Sequence, residues 1–339
     1  MTAAQDLTAI ISDAVTQVQK GSFDLKEIYT NHEAPVGKNE FLFFIKPEIT
    51  LPSDKIQLNK ILELIRNKIH DFGFTIHNIK VLSAAYLDRH NIIAQHYGVI
   101  NKIAGNAVGN MSEGAKDKFK EFFGEDVQNV KVLGGIEFLA HYPDFNPNSI
   151  DFLLQNIEAK KLAGGTYCAK IKMDNEIVYL VNGFHPRQLK QFTEKGRSIV
   201  VMTLSSDLNW KEARTNFIGA TNPEAAREGS IRRTLLEQKD ALGLDEISQG
   251  VNGVHLSAGP VEGLIELRRY NTDFSKNEDK AFTDFSFGRQ LQEQFTDEQF
   301  EQITSNENVV VDGKVTSIFD ITEEMNADEA IATLKSVLQ

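Results

Sequence analysis

Apolar residues along this chain change period several times, and each change marks an element. Leu7, Ile10, Ile11, Ala14 and Val18 recur at helical spacing and predict an amphipathic helix near the N-terminus. Phe41 to Ile45 is an unbroken apolar run, the pattern of a strand buried on both faces, and it ends at Lys46-Pro47. Leu58, Ile61, Leu62, Ile65 and Ile69 form the stripe of a second helix, with Ser53 or Asp54 as its cap and Gly73 as its terminator. Phe74 to Leu82 reads as a strand whose alternation breaks near Asn78, which predicts a bulge or an edge. Asp88 to Ile100 returns to helical spacing through Ile92, Ile93, Tyr97 and Ile100.

The middle of the chain has its own apolar pattern. Ala115 to Gly124 reads as a short helix, Asn129 to Ala140 as strand material, and Asn148 to Ala163 as a helix through Ile150, Leu153, Leu154, Ile157 and Leu162. Thr166 to Lys172 and Ile177 to Val181 flank a turn at Met173-Asp174-Asn175-Glu176 and predict a hairpin. Arg197 to Leu204 is a second buried strand, followed by a helix over Trp210 to Phe217 and a turn-rich loop over Gly219 to Ser230. Val261, Leu264 and Ile265 predict a helix opening at Pro260, a residue suited to a first helical position, with a short strand expected at Leu267 to Tyr270. Beyond it, the Asp312-Gly313 pair between valines predicts a hairpin, and Asn326 caps a last helix through Ile331, Leu334 and Leu338.

Composition narrows the class. A chain of 339 residues exceeds one typical core, and 41% hydrophobic with 25% charged residues is ordinary for a globular protein. The formal charge of −12 argues against broad binding to nucleic acid or to an anionic membrane. One cysteine, Cys168, excludes an internal disulfide and a cysteine-based zinc cluster, and its alternating surroundings read as core packing. No run is long and apolar enough to span a bilayer, and the first residues lack a secretory pattern, so a cytoplasmic protein is expected.

The candidate chemistry concentrates in Gln249 to Glu266. His255 lies three residues after Asn252, two before Ser257 and eleven before Glu266. The pattern places the histidine in a loop just before the helix at Pro260 and Glu266 in that helix's second turn. A neutral imidazole is a nucleophile, and a nearby carboxylate and hydroxyl can fix its tautomer and stabilise it once charged. The same stretch also fits an ordinary hydrogen-bonded loop histidine. No GxxxxGK[ST] or GxGxxG motif is present, so any nucleotide binds without a P-loop.

Three stretches in order, FLFFIKPEIT (41–50), RTNFIGATNPEAAREGSIR (214–232) and NGVHLSAGPVEGLIE (252–266), together resemble the nucleoside diphosphate kinase family. The family has an IKPD strand end, a GxTNPxxxxPGTIR loop and an NxxHGSDS loop with a glutamate eleven residues past the histidine. The resemblance implies an α/β (α+β) fold: a ferredoxin-like sandwich with a four-stranded antiparallel sheet, assembled as a homo-oligomer. It implies a core over 39–103 and 197–272, a helical extension over 1–38, an inserted subdomain over 104–196 and a C-terminal extension over 273–339.

The activity it implies moves the γ-phosphoryl group of ATP or another nucleoside triphosphate to a nucleoside diphosphate, with Mg2+ carried on the phosphates. His255 would be the phospho-acceptor, oriented by Glu266 and Ser257. Lys46, Arg214, Thr221, Arg232 and Asn252 would contact phosphate and sugar. The alternative is a nucleotide-binding or scaffold protein of the same fold with impaired turnover. Departures are local. Arg214 lies one residue ahead of the family's arginine position, which Thr215 fills; Leu256 replaces the glycine after the histidine; and His96 to Asn101 has no aromatic at the base-clamping position.

Overall fold

The computed structural model describes residues 3–31, 37–173 and 175–338. The chain divides into two compact units, one formed by residues up to His90 and from Lys195 onward, the other by Asn91–Glu194. In chain order the strands of the first unit begin with β1 (Leu25–Thr30), β2 (Asn39–Ile45) and β3 (Thr75–Ser83). The second unit holds β4 (Lys131–Gly134), β5 (Lys160–Ala163), β6 (Thr166–Met173) and β7 (Glu176–Val181). The first unit resumes with β8 (Ser198–Ser206), β9 (Val254–Leu256) and the hairpin β10 (Asn308–Val311) and β11 (Lys314–Ser317).

The first unit is organised on a five-stranded sheet in the order β1-β3-β8-β2-β9, antiparallel at every junction. Every residue of β2 and β8 is buried. The reason is alternation under two covers. Phe41, Phe43 and Ile45 face a core shared with α1 (Ala3–Gln19) and α2 (Leu58–Asp71), through Ile11, Val15, Ile61 and Ile65. Phe44 faces the other way, where Tyr270 of the helix Pro260–Asn271, here called the site helix, packs on it at 5.6 Å between ring centres. The register shift between Ile76 and Asn78 in β3 is the expected bulge. The end of β3 and the start of β8 lie side by side, since Ser83 pairs with Ser198 and Ala84 N–H donates to Arg197 O at 2.9 Å.

Several expectations are corrected. The sheet has five strands, because β1, within a segment expected to be only helical, pairs along β3. Its alternation, LKEIYT, is that of an edge and gives a weak signal without its partner. Leu267 to Tyr270 is helical: Leu264, Leu267 and Tyr270 are buried at helical spacing, and Arg268 and Arg269 suit a helix C-terminus. The helix read over Asn148 to Ala163 spans Pro147–Leu154, and the Gly164-Gly165 turn draws Lys160–Ala163 into β5 against β6. Neither Ser53 nor Asp54 caps α2, which starts at Leu58 because the Gln57 N–H is taken by Leu242 O at 2.9 Å. Asp88 to Ile100 is three short helices in place of one.

The second unit has a four-stranded sheet in the order β4-β7-β6-β5, with β4 and β7 parallel. Phe119, Cys168 and Tyr179 belong to one of its apolar clusters, and Phe138, Ile150 and Leu180 to another. Burial pushes the Cys168 thiol up to about 12, which keeps it protonated and inert. Met173 and Glu176 pair across the expected hairpin, whose turn residue Asp174 lies outside the described residues. No helix among the described residues is long and apolar enough to cross a membrane.

Phe43 lies on the core face of β2 and is wholly buried. Phe43→Ala should cost about 3–5 kcal/mol, as for a large aromatic removed from a packed core. Chemical denaturation should show this as a lower midpoint with an unchanged slope.

Candidate functional site

β9 is a three-residue strand on the edge of the sheet, paired with β2 so that His255 stands opposite Phe44. Pairing places the histidine on a strand, where a loop was expected. It also separates neighbours by face: Leu256 is wholly buried in the core with Phe43, while His255 points the other way. The leucine's bulk therefore lies away from the imidazole. His255 stacks on Phe44 at 4.5 Å with 20° between the rings. Its Nε2 lies 3.1 and 3.0 Å from the two carboxylate oxygens of Glu266. The side chains are 15% and 3% exposed, so the carboxylate is nearly dry and the ring is reachable. A neutral ring that donates Nε2–H to this carboxylate carries its lone pair on Nδ1.

Ser257 does not touch the histidine through its hydroxyl. Its Oγ exchanges hydrogen bonds with the Leu42 backbone, accepting from N–H and donating to O at 3.2 Å each. It extends the β2–β9 pairing by one step and acts on His255 through the strand. Strand alternation explains this, since residues two apart share a face but not a partner.

Lys46, at the end of β2, donates to Asn252 Oδ1 at 2.8 Å. The Asn252 amide donates to the carbonyls of Thr221 and Gln249, both at 3.1 Å. One buried asparagine thus joins three loops. Gly253, next to it, has φ of +80° and would set a Cβ 2.5 Å from Leu235, so this sharp turn requires glycine. Thr221 itself is exposed at the tip of its loop. Arg232 is buried and donates to Gly219 O at 2.9 Å and to Val254 O at 3.0 Å, tying the loop to β9.

Arg214 reaches the same strand, donating to Leu256 O at 3.1 Å. It stands on Ala213–Ile218, a π-helix, whose wider turn takes one residue more than an α-turn. Thr215 faces solvent and returns its hydroxyl to Lys211 O.

Three groups were missed from sequence. Phe44, the stacking partner, is visible only once the register of β2 and β9 is known. Glu48, two residues past Lys46, accepts Gly253 N–H at 2.8 Å. Glu262 lies one turn before Glu266, a spacing that could have revealed it. Burial first, and then the charge of Glu266, push the Glu262 carboxyl up to about 8 from 4.5; Arg214 and the Ala258 N–H pull against this. At neutral pH Glu262 therefore keeps its proton. Lys46 is lowered to about 8 from 10.5, first by burial, with Glu48 opposing and Arg232 adding to the shift.

No protein-family model and no curated protein matches this chain. Among solved structures, it is similar to the nucleoside diphosphate kinase from Encephalitozoon cuniculi, at 13% identity over 73% of this chain and 96% of that one, with a TM-score of 0.33. It is also similar to an NDP kinase from Pyrobaculum aerophilum, at 15% identity over 71% and 99% of the two chains, with a TM-score of 0.32.

Two titrations follow from the site. Folded Glu262 binds a proton between about 4.5 and 8 that the unfolded chain releases, so its contribution to stability is lost as pH rises through that window. Glu262→Gln has no proton to lose. Its melting temperature should exceed that of the wild type by a margin that is small at pH 4.5 and largest above pH 8. Lys46 loses its charge as pH rises past about 8. NMR of the labelled lysine side chains should show one ammonium titrating near 8, well below the usual 10.5, and Lys46→Met should remove that signal.

Proposed function

We propose that this chain is a phosphotransferase of the nucleoside diphosphate kinase type, built on a ferredoxin-like sandwich and working through a phosphohistidine at His255. The observation that carries the reading is the 3.0 Å bond between a reachable imidazole and an almost wholly buried carboxylate. The sandwich is supported by the β3-β8-β2-β9 segment of the sheet, antiparallel throughout, with helical segments following β2 and β8 in sequence.

The Nδ1 lone pair attacks the γ-phosphorus of a nucleoside triphosphate, the bond to the β-phosphate oxygen breaks, and the diphosphate leaves with that electron pair. The reverse step hands the group to a second nucleoside diphosphate. Glu266 fixes the tautomer before attack and balances the positive charge the ring gains. Lys46 is the point charge best placed to meet the phosphates, beside the Thr221 loop. Arg214 and Arg232 add positive charge on either side of His255, at the Leu256 and Val254 carbonyls. Magnesium, when bound, neutralises charge on the triphosphate. It needs few protein ligands, and Glu48, a hard oxygen donor beside Lys46, suits its hydration shell.

The second reading is a nucleotide-binding or scaffold protein of the same fold with impaired turnover. Arg232 favours it, since two of its donors already hold backbone carbonyls. The lack of an aromatic at the base-clamping place in His96 to Asn101 favours it too.

Incubation with radiolabelled ATP and magnesium separates the two. The phosphotransferase takes acid-labile, base-stable label and releases it to added nucleoside diphosphate. His255→Gln should take none yet keep its fold and nucleotide affinity. Glu266→Ala should label about a hundredfold more slowly, the scale of a lost positioning and charge-balancing group. Unlabelled wild type that still binds ATP would select the scaffold reading.

A further inference from the structure

The first unit holds a cavity of about 640 Å³ that shares no residue with the site around His255. It is bounded by the start of β1, by Lys80 of β3, by Asn271 at the end of the site helix and by the chain that follows as far as Asp284. Leu25 is its one apolar lining residue, so its natural occupant is polar. Lys80 is only 5% exposed. Its Nζ donates to Asn271 O at 3.0 Å, which leaves two further donors on the ammonium. Glu27 stands opposite Lys80 in the β1–β3 pairing, yet the Glu27 carboxylate takes its hydrogen bond from Thr30 Oγ at 2.5 Å. Lys80 closes no ion pair among the described residues. A buried ammonium without a counter-charge is costly, and an anion that reaches it removes that cost.

Most carboxylates of the lining are already engaged within the chain. Asp24 holds Arg89 at 2.7 Å, Asp273 holds Lys276 at 3.2 Å, and Asp284 accepts Ala281 N–H at 3.1 Å. Glu278 and Asp279 are exposed, where water satisfies them. Lys280 is exposed beside them and closes no ion pair among the described residues. Its charge acts on Lys80, so the two ammonium groups share one neighbourhood. We propose that this cavity binds a small polar molecule through a single oxyanion, a carboxylate or a phosphate monoester, seated on the ammonium groups of Lys80 and Lys280. The cavity is far larger than such a group, so the oxyanion is the head of a larger molecule whose polar body meets the rest of the lining. A polyphosphate is a poor fit, because six carboxylates line the cavity against four lysines. The proposal is independent of the phosphotransfer reading.

The probes are sodium phosphate and sodium acetate at pH 7, each added to the full chain and compared with sodium chloride at equal ionic strength. The readout is NMR of labelled lysine side chains, with the Lys80 signal identified by its loss in Lys80→Met. If that variant fails to fold, Lys80→Arg, which keeps the charge, identifies the signal in the same way. The Lys80 signal should move and saturate with one probe or both; the tighter probe tells a phosphate-bearing ligand from a carboxylate. The shift should persist in Lys46→Met, which separates this cavity from the site around His255. Lys280→Ala, on an exposed stretch, should weaken the binding about tenfold, the scale of one charge-assisted hydrogen bond. Pyrophosphate should move the signal only at higher concentration than phosphate. A Lys80 signal that neither probe moves beyond the chloride control overturns the proposal. So does binding that Lys280→Ala leaves unchanged, that Lys46→Met abolishes, or that is tighter for pyrophosphate than for phosphate.

Discussion

A carboxylate taken almost wholly out of water must be paired, because an isolated charge in a low-dielectric interior is too costly to keep. Glu266 is in that position, and His255 is its partner. The pair dictates much of the first unit. The histidine has to stand on an ordered backbone, which β9 provides by pairing with β2. The glutamate has to return over the same strand, which the helix starting at Pro260 achieves within eleven residues of the histidine. Phe44 closes the arrangement, stacked on the imidazole on one side and packed against Tyr270 on the other. Strand β2 must then be buried on both faces, and its unbroken apolar run meets that demand.

Around this pair the charges are sorted by backbone bonds. Arg214 and Arg232 bind the carbonyls of Leu256 and Val254, the neighbours of His255, so two cations flank the ring. Asn252 gathers Lys46, the Thr221 loop and Gln249 through one buried amide. Glu262 stays protonated one turn from Glu266. The histidine thus has a carboxylate bonded behind it and two guanidinium groups at the carbonyls of its neighbours, surroundings that fit the proposed attack by its ring.

Much of this was legible in the sequence, for reasons that can be located. Phe41 to Ile45 and Ser198 to Leu204 are apolar at every or nearly every step, a pattern that survives any tertiary context. The spacing from His255 to Glu266 spans one turn and two helical turns, and local structure alone brings the two together. What failed depended on partners distant in sequence. β1 is an edge whose alternation means little until β3 is beside it. Ser257 looked like a neighbour of His255, but the strand turned its hydroxyl to Leu42. Arg214 was read on an ordinary helix, and no apolar pattern announced that Ala213–Ile218 would wind as a π-helix. The last helix was legible from Asn326, but not that Asn326 would also bind Asn39 and Trp210, more than a hundred residues away.

The central claim is that His255 is a reversible carrier of a phosphoryl group, and mass spectrometry of the intact protein under neutral to alkaline conditions tests it most directly. After brief exposure to Mg-ATP, the wild type should gain the mass of one phosphoryl group. Fragmentation should place it on His255, and excess nucleoside diphosphate should remove it. An unchanged mass under conditions where ATP binds, or a phosphoryl group found on a hydroxyl residue or on another histidine, would contradict the account.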